Sequence, residues 1–173
     1  FGKPGENPFI LEIIHGPGSP GTENTWHSDV TWMEQPSLGS IAQCVHTPPY
    51  GGDTLFADMY LAYELLSEPM KAFLEGLEAI HDGGKPYVGS YKSEPPEGGY
   101  PRSTHPVVCT HPDTGRKVLY VNSGFTTRIK GLSARESSAL LDMLFRHIDS
   151  TVKLYCRVEW TPGTLTFWDN RCT

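Results

Sequence analysis

Trp26-His27-Ser28-Asp29-Val30-Thr31-Trp32 decides how the rest of the chain is read. Its aromatic and β-branched residues, with no Gly or Pro inside and a turn-rich run from Gly16 to Gly21 before it, predict a β-strand. In a strand, alternate side chains share a face, and residues two apart lie roughly 6.8 Å apart along the axis. His27, Asp29 and Thr31 then share one face; Trp26, Ser28, Val30 and Trp32 share the other. An imidazole and a carboxylate on one face can converge on one ion. They form two-thirds of the facial triad that holds non-haem Fe(II) while leaving coordination positions open. A strand histidine beside a hydrogen-bonded aspartate is the competing reading of the same two residues.

Outward from this stretch the chain shows short strands and few helices. Phe9-Ile10-Leu11-Glu12-Ile13-Ile14 is a short apolar run that predicts a buried strand. Ser40 to His46 and Thr54 to Ala57 predict two more, divided by the sharp turn Pro48-Pro49-Tyr50-Gly51-Gly52. Asp58 is placed to cap a helix over Met59 to Leu66. Ser67 is placed to cap a second, with Pro69 near its first turn and Met70, Phe73, Leu74, Leu77 and Ile80 on one apolar face. Gly83 to Thr104 has no periodicity and reads as a long loop. Pro106 to Thr110 and Lys117 to Asn122 read as paired strands. Ser133 and Glu136 form a capping box opening a helix to about Asp149, with Leu140, Leu141, Leu144 and Ile148 inward. Leu154 to Trp160 and Thr164 to Trp168 are strands on either side of Thr161-Pro162-Gly163. Many strands, three helices and no regular β-α-β alternation favour an antiparallel sandwich or jelly roll with added helices.

The chain has 173 residues, enough for one domain with a core. Fourteen basic residues against 20 acidic ones leave no basic run for nucleic acid. No apolar run approaches the roughly 18 residues of a membrane span. Cys44, Cys109, Cys156 and Cys172 are widely spaced, without a C-x-x-C, and read as free thiols of a reducing cytoplasm.

Four motifs follow one another in order: Trp26-His27-Ser28-Asp29-Val30-Thr31, Tyr50-Gly51-Gly52-Asp53-Thr54-Leu55, Asn122-Ser123-Gly124-Phe125-Thr126-Thr127-Arg128-Ile129 and Trp168-Asp169-Asn170-Arg171-Cys172-Thr173. In these the chain resembles the TauD/TfdA family of Fe(II)- and 2-oxoglutarate-dependent dioxygenases, and most of all its taurine dioxygenase branch. The resemblance runs from Phe1 to Thr173 and is weakest between Gly83 and Thr104. It implies a double-stranded β-helix, mostly β with flanking helices, over residues 1–173 as one domain lacking its N-terminal and C-terminal ends.

The resemblance also implies the chemistry. His27 and Asp29 are the expected catalytic metal ligands, and the third, a histidine, is expected just beyond Thr173. Thr54 matches the threonine that contacts the far carboxylate of 2-oxoglutarate. Val30 and Phe125 match substrate-pocket positions, and Trp168 is expected to line the iron side. Glu23 stands where taurine-type members carry an asparagine, which argues against taurine itself, since a carboxylate repels a sulfonate. Arg171 is expected to be structural. The implied reaction hydroxylates a small anionic substrate, an alkyl sulfonate or sulfate ester, with O2, while 2-oxoglutarate is decarboxylated to succinate. A phenoxyalkanoate or an amino-acid-derived acid is the alternative substrate, and an inert jelly-roll binding module the alternative class. The implied protein is a homo-oligomer with no nucleic-acid or membrane partner.

Overall fold

The computed structural model describes residues 10–16, 24–86 and 97–173. Every strand pairing among them is antiparallel. β1 (Gly39–Gln43) pairs with β9 (Leu165–Asp169), with Ser40 opposite Trp168. β2 (Thr54–Ala57) pairs with β8 (Tyr155–Val158). β3 (Glu78–Asp82) lies between β4 (Arg102–Pro106) and β7 (Thr126–Ile129). β5 (Val108–Thr110) and β6 (Lys117–Leu119) form a hairpin. Among the described residues, the first and last strands, β1 and β9, thus pair with each other at long range.

The helices begin where their caps are written. Asp58 accepts the Leu61 N–H at 3.0 Å and opens α1 (Met59–Glu64). Ser67 opens α2 (Glu68–Leu74). α3 (Gly84–Pro86) is a single turn. Ser133 and Glu136 exchange side-chain and backbone bonds in a complete capping box at the start of α4 (Ala134–Ser150). α4 buries Leu140, Leu141, Leu144 and Ile148 against a core that includes Leu74, Ala79, Val107, Leu119 and Ile129. Ser137 Oγ also accepts the Ile129 N–H at 2.8 Å, locking α4 to β7. Among the described residues no helix is long and apolar enough to cross a membrane.

Several expectations are corrected. Trp26 to Trp32 is not a strand: residues 29–32 form a turn, closed by the Met33 N–H on Val30 O at 2.9 Å. Val30 takes φ 51°, a left-handed conformation that a β-branched residue rarely adopts. The local composition favours a strand, but no neighbouring strand offers a ladder here. Ile10 to His15 is also not a strand. Its apolar side chains are exposed, Ile14 at 71%, so no partner surface fixes an extended ladder; Phe9 lies outside the described residues.

α2 stops at Leu74 because Gly76 turns left-handed at φ 86°. Ile80 therefore belongs to β3, and Phe73 is half exposed. The two strands expected on either side of Thr161-Pro162-Gly163 are present: β8 pairs with β2, and β9 with β1.

Candidate metal centre

His27 and Asp29 come together through the turn and not through strand alternation. Their closest atoms, His27 Nε2 and Asp29 Oδ1, are 3.7 Å apart, and each side chain is about one-third exposed, at 37% and 36%. Both remaining polar atoms are tied back. His27 Nδ1 lies 2.9 Å from Thr25 O, so the ring proton sits on Nδ1, and Nε2 keeps a free lone pair. Asp29 Oδ2 accepts the Ser40 hydroxyl at 2.7 Å, which leaves Oδ1 as the free oxygen. Metal–ligand bonds of about 2.1 Å let two donors at this separation share one ion. A neutral imidazole nitrogen and a carboxylate oxygen suit Fe(II), so the residues present fit that metal. Among the described residues, no group of three or more candidate ligands includes His27 or Asp29.

Asn170 builds the turn that carries Asp29. Its Oδ1 accepts the Asp29 N–H at 2.6 Å, and its Nδ2 donates to Asp29 O at 2.9 Å and Ser37 O at 3.0 Å. A side-chain amide thus occupies both backbone groups that a neighbouring strand would have used. Asn170 is 1% exposed, so these bonds form away from water. The next support is Thr173, whose carbonyl accepts the Ser28 hydroxyl at 2.6 Å.

His27 rests on the Asn122–Thr126 turn. The Gly124 N–H donates to Trp26 O at 3.0 Å. A Cβ on Gly124 would stand 2.8 Å from His27 Cβ, so only glycine permits this approach. Phe125 meets the imidazole edge-on, with centroids 5.9 Å apart, and packs on Trp32 at 4.5 Å.

The other expected site residues fall as follows. Val30 is the left-handed residue of the ligand turn. Trp168 sits opposite Ser40 in the β1–β9 pair, half-buried and 5.2 Å from the Phe56 ring. Thr54 opens β2, and its Oγ1 accepts the Trp160 indole N–H at 2.9 Å, which leaves the hydroxyl hydrogen available to an acceptor. Glu23 lies outside the described residues. Arg171 reaches both Asp169 oxygens, at 2.9 Å and 2.6 Å, and Asp113 at 2.8 Å. These guanidinium bonds hold the Asp169 carboxyl well below the usual carboxylate range.

One three-residue ligand cluster does occur among the described residues: His111, Asp169 and Cys172, with donor atoms within 4.8 Å of one another. It is built as a strut. His111 Nδ1 accepts the Asp113 and Thr114 N–H groups at 3.3 Å each, which fixes the proton on Nε2. That N–H donates to Asp169 Oδ2 at 3.1 Å, so the lone pair a metal would need is absent.

A second buried network was not legible in the sequence. Thr31, fully buried two residues after Asp29, places its hydroxyl 2.9 Å from His81 Nδ1 and 3.4 Å from Asn122 Nδ2. His105 Nε2 donates to Thr31 O at 2.8 Å and Met33 O at 3.1 Å. His81 Nε2 has no hydrogen-bond partner. Burial first, and the neighbouring His105 second, lower the His81 pKa to about 3.

Comparison with known proteins adds the lineage. A family model described as taurine catabolism dioxygenase TauD, TfdA family matches residues 11–173. The chain is 37% identical over 151 residues to a Saccharomyces cerevisiae protein named alpha-ketoglutarate-dependent sulfonate dioxygenase, a match covering 84% of this chain and 36% of that protein. It is 34% identical over 175 residues to a Pseudomonas putida alpha-ketoglutarate-dependent sulfate ester dioxygenase, covering 95% and 58% respectively. A solved structure titled as a taurine dioxygenase from Burkholderia xenovorans superposes with a TM-score of 0.74 at 40% identity, over 85% of this chain and 49% of that one. The chain therefore spans well under two-thirds of the length of the relatives it matches.

Proposed function

The chain belongs to the TauD, TfdA family of taurine catabolism dioxygenases, and from that membership we propose that the protein is an Fe(II)- and 2-oxoglutarate-dependent dioxygenase of small anionic substrates, of alkyl sulfonate or sulfate ester type. The observation that carries the reading is the His27–Asp29 pair. One free lone pair and one free carboxylate oxygen face each other at 3.7 Å, while every other polar atom of the two side chains is tied back.

In this reading His27 Nε2 and Asp29 Oδ1 hold the iron, and residues 1–173 form part of a single double-stranded β-helix domain. A third donor, a histidine, is expected just past Thr173; the Ser28–Thr173 bond supports this, because it ties residue 173 to the residue between His27 and Asp29. When bound, Fe(II) and 2-oxoglutarate supply O2 activation and C–H hydroxylation, with succinate and CO2 as co-products.

The chain's own residues do the rest. Thr25 and Ser40 orient the two ligands, a support that in metal sites typically changes affinity 10–100-fold. The Thr54 hydroxyl donates to the far carboxylate of 2-oxoglutarate. Phe125, packed on Trp32, gives His27 an apolar flank, Trp168 stands opposite Ser40, which bonds Asp29, and Val30 lies at the turn; these are the residues we assign to the substrate side.

The test is an anaerobic titration of the full-length protein with Fe(II) and 2-oxoglutarate, followed through the visible charge-transfer band. The band is expected in wild type and absent in His27→Ala. Succinate release should then rise with an alkyl sulfonate or a sulfate ester. A folded full-length protein that gives no band overturns the reading.

A further inference from the structure

We propose that Lys85 is a positioning residue for His27, acting through the Asn122–Thr126 turn. The proposal rests on the reading of His27 as an iron ligand, and it assigns a role to a cation outside the four motifs that mark the site.

Lys85 belongs to α3, and its ammonium donates to Ser123 O at 2.7 Å and Thr126 O at 3.2 Å. It also lies 5.7 Å from the centroid of the Phe145 ring of α4. The two carbonyls flank Gly124, which packs closely on His27 Cβ, and Phe125, which meets the imidazole edge-on. The turn is already satisfied internally. Asn122 Oδ1 accepts the Phe125 N–H at 2.8 Å, Asn122 O accepts the Thr126 N–H at 3.0 Å, and Thr126 Oγ1 accepts the Asn122 N–H at 3.0 Å. What remains is its placement.

One side of the turn meets Trp26 and His27, through the Gly124 N–H, the Ser123 hydroxyl on Trp26 O at 3.3 Å, and the close approach of Gly124. The other side meets Lys85. Ser123 is held from both directions, its carbonyl by Lys85 and its hydroxyl by Trp26. A shift of this turn moves Gly124, and Gly124 has no slack against His27 Cβ.

An ammonium suits the task. It offers three charged donors to two carbonyls, a guanidinium can also supply charged donors, and an uncharged chain offers none. Desolvation by the surrounding turn and helix pushes the lysine pKa down, although the residue as a whole stays exposed, so the two hydrogen bonds and not burial carry the placement. The role is one of position: Lys85 is placed against the backbone of the turn, and its effect on His27 passes through Gly124 and Phe125.

The experiment compares wild type, Lys85→Met, Lys85→Arg and a control, Lys130→Met, in the full-length protein. Lys130, one residue past the end of β7, forms an exposed pair with Glu78 at 2.7 Å and has no hydrogen bond to the Asn122–Thr126 turn. Three quantities are read: amide hydrogen exchange at Gly124, the ring NMR signals of His27 in the metal-free protein, and Fe(II) affinity. Lys85→Met is expected to speed exchange at Gly124 at least tenfold, shift the His27 ring signals and weaken Fe(II) about tenfold. Lys85→Arg should recover most of each change, and Lys130→Met should leave all three alone. Wild-type exchange and ring signals in Lys85→Met overturn the proposal, whatever the iron result. Equal changes in Lys85→Met and Lys130→Met also overturn it, since they mark general loss of stability. A wild-type protein that binds no iron refutes the iron reading separately, and the metal-free measurements still decide whether Lys85 places His27.

Discussion

Mild acid should weaken the fold through His81. Its ring is fully buried, with Nδ1 on Thr31 Oγ1 and Nε2 without a partner. Desolvation, then the nearby His105, lowers its pKa from 6.5 to about 3. In the unfolded chain the same imidazole titrates near ~6.5. Between these values the unfolded chain binds a proton that the folded protein refuses. The contribution is therefore fully present above pH ~6.5 and is lost as pH falls, by up to ~1.4 kcal/mol per pH unit. That amounts to about 2 kcal/mol at pH 5 and roughly 4 kcal/mol near pH 3. Urea unfolding at pH 7 and pH 5, followed by tryptophan fluorescence, measures the loss. The comparison is His81→Phe, which keeps an aromatic ring beside His105 and Tyr120 and removes the titration. The variant starts less stable because Thr31 loses a partner, but it should lose about 2 kcal/mol less than wild type between the two pH values. Carboxylates elsewhere contribute equally to both proteins and cancel. Equal losses in both would refute the argument that the buried imidazole stays neutral.

Other substitutions probe the supports of the ligand turn. Asn170→Leu removes three buried hydrogen bonds and should cost roughly 3 kcal/mol in urea unfolding, together with most Fe(II) binding in anaerobic titration. Ser40→Ala frees Asp29 Oδ2 and should weaken Fe(II) about tenfold with little change in melting temperature. Gly124→Ala forces a methyl to 2.8 Å from His27 Cβ; the fold should persist by circular dichroism while Fe(II) affinity drops at least tenfold. Ser133→Ala breaks the capping box of α4 and should cost about 1 kcal/mol in urea, leaving iron binding unchanged.

Elements with a local chemical signature were legible in the sequence. Asp58, Ser67 and the Ser133–Glu136 box announced three helix starts, because a cap is satisfied within four residues of itself. The pairing of His27 with Asp29 was legible as a spacing, but its geometry was not. Val, Thr and Trp side chains favour a strand, yet Asn170 supplies the two hydrogen bonds a strand neighbour would have made, and nothing in residues 26–32 encodes that amide. β3 and β4 escaped notice for a similar reason. Ile80 continued a helical apolar period that Gly76 interrupts, and the Gly- and Pro-rich composition before Arg102 masked a strand. The partners of β8 and β9 were equally hidden, since adjacency in sequence favours a hairpin and the chain closes the pairs at long range instead. The His81–Thr31 network left no periodic trace; its only sign was a histidine that no motif used.

The Asn170–Asp29 bond joins residues 141 positions apart. Closing so large a loop carries an entropy penalty that is recovered only after the intervening chain has condensed. The ligand turn should therefore be among the last features to assemble, after local units such as α4 and the β5–β6 hairpin. A nascent chain would present His27 early and yet have no aligned aspartate until residue 170 arrived. If the His27–Asp29 pair holds iron as proposed, iron capture would then report that folding had finished.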